Sequence, residues 1–232
     1  MSELARAVGT SKSVVHRILQ DLTQSGFMTS DPATRRYRLG ALMIRLGLVA
    51  VRHMDLKTIS LPYLRAIHEQ THETALLALL RGDRRIYLAQ IEAQHSVRSA
   101  VHLGNESPLY VGASGKAMLA FLPRALSTAV LASARGQRLA TGAPIRIGEL
   151  TAELAQIRRT RIALAANELA LGAAAVASPI FDEQGQVIGS LGVASVSIRT
   201  DRRTLSRYGA IAKTQADRLS KVLGWTGRIS SD

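Results

Sequence analysis

Three short stretches of the chain carry residue types able to do chemistry. His68-Glu69-Gln70-Thr71-His72 is an H-E-x-x-H pattern. On one unbroken helix its two imidazoles share a face and could hold zinc, with Glu69 as general base. Gly112-Ala113-Ser114-Gly115-Lys116-Ala117 puts a serine among small residues at a helix start, where unpaired N–H groups favour an anion such as a carboxylate. Ser11, Lys12, Ser13, His16 and Arg17 gather cationic and short polar groups on one side of a helix, a set suited to phosphates and base edges.

The first two stretches argue against catalysis once their surroundings are read. The H-E-x-x-H leads into Leu76-Leu77-Ala78-Leu79-Leu80, so a helix must give way to a strand near His72. That break takes the second imidazole off the helical face. A third ligand must come from elsewhere, and His95 and His102 lie in another part of the chain. Two surface histidines at a helix end are expected, with no metal and no cofactor. The serine stretch lacks the glycine spacing of a nucleophile elbow and the longer spacing of a P-loop. With no cysteine in 232 residues, disulfides, thiolate zinc sites and cysteine nucleophiles are excluded. No enzyme activity is expected.

The charge points to an anionic partner. Net charge is +13, and the first 52 residues hold eight Lys or Arg against three acids, an excess of five in under a quarter of the chain. Nucleic acid comes first among such partners and a membrane surface second. No apolar run approaches the roughly 18 residues of a membrane span, so a cytoplasmic protein is expected. The apolar fraction of 47% is that of a globular chain of one or two domains.

The elements that must position the basic set follow from the pattern around it. Leu4, Ala5 and Val8 form one apolar helical stripe that Gly9 can end. Thr10 or Ser11 can cap the next helix, in which Val14, Val15, Ile18, Leu19 and Leu22 repeat at helical spacing up to Gly26. Two helices joined by a short turn containing glycine match a helix-turn-helix, whose second helix enters the major groove. Behind it, Phe27-Met28-Thr29 and Tyr37-Arg38-Leu39 read as strands around the turn residues Asp31-Pro32-Ala33-Thr34. Arg35 and Arg36 fall at the hairpin tip and Arg38 on its second strand. A basic hairpin there is the wing of a winged helix, able to grip phosphate or reach into the minor groove.

Downstream, residues 41–53 read as a connecting helix with Leu42, Leu46 and Val49 on one face. A helix over about 55–71 precedes strands at Thr74–Leu80 and Arg84–Ile91 around a turn at Arg81-Gly82-Asp83. A helix from Gly115, two more within about 123–162, strands near 172–181 and 187–196, and a helix from about Asp201 complete the reading. Strands and helices mixed without βαβ alternation predict an α+β domain.

The ordered set SELARAVGTSKSVVHRILQDLTQSGF, YRLG, GASGKAMLA and ASPIFDEQGQVIGSLGVASVS resembles the IclR family of bacterial transcriptional regulators over essentially the whole chain. The resemblance implies a winged helix-turn-helix over 1–40, a linker helix over 41–54 and a GAF-like effector-binding domain over 55–232. It implies a homodimer or homotetramer on a double-stranded DNA operator, and a small-molecule effector. It places the backbone N–H groups of Ala113 and Ser114 in the effector pocket, with Ala165, Ala175, Gly192 and Ala194 where relatives that sense small keto acids carry polar side chains. These four are apolar or lack a side chain, so the expected effector is a carboxylate with a hydrophobic or aromatic body. Asn167, Glu168, Ser178 and Ser190 are its candidate polar partners. A reading head of this kind normally carries a helix ahead of the first one seen in this sequence. Either the native start lies upstream of Met1, which is the expectation, or the head is mobile and binds DNA poorly, or another protomer covers the gap. The alternative reading is a small-molecule-binding protein that has lost DNA binding.

Overall fold

The computed structural model describes residues 2–31, 34, 36–46 and 56–230. The chain divides into two compact units, residues 1–55 and 56–232.

In the first unit, α1 (Ser2–Val8) ends where Gly9 takes φ +67°. The Gly9 N–H reaches Arg6 O and the Thr10 N–H reaches Ala5 O, the paired bonds of a Schellman stop. Ser11 then caps α2 (Lys12–Gln24), its hydroxyl accepting from Val14 N at 3.4 Å. A short antiparallel hairpin follows, β1 (Met28–Ser30) and β2 (Tyr37–Leu39), with Thr29 opposite Arg38. The first strand begins one residue later than the sequence pattern suggests. Residues 41–46 are helical, while the rest of the expected linker helix, including Gly47, Val49 and Arg52, lies outside the described residues. Ala5, Val15 and Leu19 form the buried core of this unit with Met28 and Tyr37 against them. Leu4, Val8 and Ile18 are 45%, 68% and 47% exposed, so the apolar stripe expected on these helices is only partly covered.

The second unit is built on one antiparallel sheet. After α3 (Leu56–Thr71) come β3 (Thr74–Arg81), β4 (Arg84–Ile91), β5 (Glu106–Pro108), α4 (Ala113–Leu119), α5 (Arg124–Ser133), α6 (Ile147–Thr160), β6 (Ala163–Ala166), β7 (Ala173–Phe181), β8 (Val187–Val196) and α7 (Arg202–Val222). The strand order is β5-β4-β3-β8-β7-β6, with every neighbouring pair antiparallel. The helix at Gly115 starts two residues earlier than expected. The edge strands β5 and β6 were not distinguished by pattern, being three and four residues long with little apolar alternation.

Alternation along the strands makes both sheet faces apolar, and each carries its own helical layer. Leu76, Ala78, Ala163, Ala177 and Ala194 pack with α4, α5 and α6 on one face. Ala75, Leu77, Val176, Leu191 and Val193 pack with α3 and α7 on the other. Each fully buried Leu, Ile or Phe among them contributes about 1.5–3 kcal/mol. Asp201 caps α7 by accepting from Thr204 N at 2.7 Å, and the side chain and then the backbone of Thr204 hold its carboxyl below the usual carboxylate range.

The helix-to-strand change at His72 has a definite geometry. His72 takes φ +56°, its N–H bonds His68 O at 2.7 Å, and the strand starts two residues later. A left-handed conformation costs a residue with a Cβ about 1–2 kcal/mol. His72→Gly is therefore expected to raise stability by about 0.5–1 kcal/mol, net of the entropy that glycine adds to the unfolded chain. Urea unfolding of the variant against the parent measures it; a lower midpoint would contradict it.

Candidate nucleic-acid interface and effector site

The exposed side of α2 carries Lys12, Ser13, His16 and Arg17, with Ser11 at its N-cap. Helical spacing puts them together because Val15 and Leu19 turn the opposite side into the core. The side chains of Lys12, His16 and Arg17 make no ion pair or hydrogen bond with another described residue, so their donors face solvent. Ser11 shares its hydroxyl with its own helix and with Ser13 Oγ at 2.9 Å, which fixes the two serines relative to each other. In the hairpin, Asp31 binds the Thr34 hydroxyl at 2.7 Å, and its N–H meets Arg36 O at 2.9 Å. Arg36 therefore sits at the base of the loop rather than at its tip. Arg38 is exposed on β2. Arg35, Pro32 and Ala33 lie outside the described residues.

The other candidate site lies on the sheet face beneath α4. Register sets Ala165, Ala175, Ala194 and Thr74 directly opposite one another across β6, β7, β8 and β3. Gly192 occupies the next row with Ala177 and Leu76. A Cβ on Gly192 would come within 2.5 Å of Val176 O, so no larger residue fits that row without moving the strand. Ala165, Ala175, Gly192 and Ala194 form a floor of small residues without hydrogen-bonding side chains, and the Thr74 hydroxyl at its edge accepts from Ala93 N at 3.1 Å. Ser190, on the same face, bonds Ser114 O at 3.5 Å.

Above this floor, Gly112 turns at φ +77° into α4. Its N–H is taken by Glu168 Oε2 at 2.8 Å, while the N–H groups of Ala113 and Ser114 meet no acceptor among the described residues. The same Glu168 binds Lys116 Nζ through Oε1 at 2.5 Å, and Glu153 binds that ammonium at 2.6 Å. Lys116 is 2% exposed. Burying its charge is tolerable only because two carboxylates surround it. Behind the turn stands Arg85, wholly buried, donating from Nη1 to Pro108 O at 2.6 Å and Val111 O at 2.7 Å. Its Nε and Nη2 have no partner among the described residues. A methyl on Gly115 would come within 2.4 Å of Nη1, which is why glycine stands at this point of the helix.

Two of the expected polar partners are placed otherwise. Ser178 lies opposite Leu191 and belongs to the face covered by α3 and α7, away from α4. Alternation along β7 assigns it there, because Ala175 and Ala177 already occupy the other face. Asn167, at φ +57°, spends its Oδ1 on Gly172 N at 2.7 Å and so closes its own loop. Sequence reading had missed Lys116, Glu153 and Arg85 as parts of this region. Lys116 and its two partners are 37 and 52 residues apart along the chain, and no spacing rule joins them.

The H-E-x-x-H residues do come near a third histidine: His68, Glu69, His72 and His95 line one cleft of about 480 Å³. His68 Nδ1 is engaged with Glu73 O at 2.9 Å, and among the described residues no three His, Asp or Glu side chains are placed to hold a metal ion. No described helix is long and apolar enough to cross a membrane.

A helix-turn-helix with a free basic face and a hairpin behind it, followed by a sheet domain with a small-residue face, defines a DNA-binding regulator with a ligand-sensing domain. The chain belongs to the IclR family. The family described as bacterial transcriptional regulator IclR C-terminal matches residues 48–221, and the IclR helix-turn-helix domain matches residues 1–32. It is similar to the HTH-type transcriptional regulator KipR of Bacillus subtilis, at 27% identity over 97% of this chain and 90% of KipR. It is also similar to BhcR of Paracoccus denitrificans, at 31% identity over 89% of this chain and 74% of BhcR. The crystal structure of Pseudomonas aeruginosa HmgR superposes with a TM-score of 0.81 at 26% identity, covering 98% of this chain and 90% of HmgR. The protein is thus an IclR-family DNA-binding transcriptional regulator with a C-terminal effector domain.

Proposed function

We propose that this regulator works in the cytoplasm as a homodimer or homotetramer on a near-palindromic operator, and that an organic acid modulates its affinity. In this reading residues 1–40 form the reading head, 41–54 the linker and 55–232 the sensor. Lys12 and Arg17 contact guanine edges or phosphates, and Ser11, Ser13 and His16 serve as short polar readers. Arg36 and Arg38, with Arg35, hold the backbone or the minor groove. The observation that carries the DNA reading is the unpaired cationic side of α2 directly after a capped turn. Two-fold pairing of protomers calls for two-fold operator symmetry.

For the sensor, the Ala113 and Ser114 N–H groups are proposed to receive the effector's carboxylate. Glu168 supports this, since a carboxylate of the chain itself already sits on the preceding N–H. The floor of Ala165, Ala175, Gly192 and Ala194 supports an apolar body, because it offers volume without hydrogen-bonding partners. Effector binding then shifts the population between arrangements of the paired reading heads, by differential affinity for the two.

The decisive experiment is a gel shift on DNA upstream of the protein's own gene, across salt concentrations and with a panel of organic acids. A specific, salt-sensitive complex is expected, and its absence would leave only a sensor. In thermal-shift screening, aromatic or branched acids should raise the melting temperature of the purified protein. A response confined to two- and three-carbon keto acids would reject the apolar effector.

A further inference from the structure

At the other end of the sheet from the alanine floor lies a cavity of about 720 Å³, within the range of about 300–1,000 Å³ that small-molecule sites occupy. Leu80 near the end of β3 and Val187 at the start of β8 contribute to it. Along β8, Val187 and Ala194 are separated by about 23 Å at the usual strand rise. Phe121, Leu122 and Leu126 supply further apolar wall.

The charged groups lining the cavity among the described residues have one sign. The exposed side chains of Arg124 and Arg158 line it, beside the neutral Ser127, Thr128, Gln186 and Ser230, and no described Asp or Glu does. Arg158 is steadied by its Nε donating to Ala120 O at 2.5 Å, and neither guanidinium has a carboxylate partner among the described residues. Arg124 is the first residue of α5, ten residues long, with Pro123 as N-cap, no side-chain cap and no acid in its first turn. Its first N–H groups have no intrahelical acceptor, and the helix dipole adds to the positive field. One rim is the irregular segment at Ile229 and Ser230. It is tied down by Ser230 N on Gly185 O at 3.1 Å and by Trp225 Nε1 on Arg228 O at 2.6 Å.

We infer that this cavity is a second small-molecule site, separate from the alanine-floored one, that takes an organic anion with an apolar body. The anionic group lies between Arg124 and Arg158 at the start of α5, and the body lies on Phe121, Leu122 and Val187. Size, apolar wall and positive charge with no carboxylate beside it among the described residues converge on that class of ligand.

The chain's only tryptophan reports on the site. Trp225 stacks on Phe181 at 5.0 Å, and Phe181 meets Phe121 edge-on at 5.1 Å. The probe is 1-anilinonaphthalene-8-sulfonate, an aromatic body with one anionic group. Titrated into the folded full-length protein, it should bind one per chain, quench Trp225 and emit by energy transfer. The double variant Arg124→Gln/Arg158→Gln should bind it at least tenfold more weakly while keeping a cooperative unfolding transition, and Arg124→Gln alone should weaken binding at an unchanged melting temperature. The neutral N-phenyl-1-naphthylamine should also bind at least tenfold more weakly. Displacement by 1-naphthoate or by 1-naphthyl phosphate supports the site and tells a carboxylate from a phosphoryl ligand; displacement by neither counts against it. Undiminished affinity in the double variant, or equal affinity for the neutral compound, overturns the inference. So does binding that fades as protein concentration rises, because a second copy of the chain would then be what fills the cavity.

Discussion

Replacing Lys12 and Arg17 together with alanine is expected to weaken operator binding by about 10²-fold or more while leaving the melting temperature within a degree. Both side chains are exposed on α2 and make no hydrogen bond or ion pair with a described residue, so their loss removes little from the fold. On DNA each well-placed cation–base pair is worth about 1–3 kcal/mol, and 1.4 kcal/mol is tenfold. A residue on phosphate acts differently, lowering the salt slope by about one per contact without changing sequence preference. Titrations of the two single variants at several salt concentrations, on operator and on scrambled DNA, separate the roles. If neither affinity nor salt slope changes, α2 does not enter the groove. The reading head would then have to bind through the hairpin arginines alone.

Lys116→Met should strongly destabilise the effector domain. It removes the one cation that Glu168 and Glu153 share and leaves Glu168, largely covered, against the turn at Gly112. Breaking a buried pair costs about 3–5 kcal/mol. Glu153 is partly exposed and can turn to water, so a loss of about 3 kcal/mol is the better expectation. For a domain of this size that is a fall of roughly 6–12 °C in melting temperature. The double variant Lys116→Met/Glu168→Gln should recover part of the loss, since an amide is far cheaper to leave without a cation than a carboxylate. Losses that simply add in the double variant would show that the two side chains act independently.

The two predictions differ in how visible their residues were beforehand. The α2 surface is a local pattern: Ser11, Lys12, Ser13, His16 and Arg17 share a side because the helical period places them there. The hairpin pairing of Tyr37–Leu39 and the start of the last helix near Asp201 were legible for the same reason. So was the break at His72, because the apolar run after it can be satisfied only by a strand. In the effector domain the central strands announced themselves as short, nearly continuous apolar runs, while β5 and β6 are too short to carry a signal.

What the sequence by itself determined is therefore everything that depends on neighbours within a few positions. Helix faces, turns, caps, the excess of positive charge and the absence of thiol chemistry all belong to that set. Only the tertiary structure decided which distant residues meet. Lys116 finds its two carboxylates, Arg85 props up the turn before α4, Ser178 goes to the opposite face from Ala175, and Arg124 and Arg158 converge on one cavity. The reason is physical: strand order and register bring together groups that no periodicity relates. Whether a charge can be buried depends on those meetings, and the residue itself does not settle it.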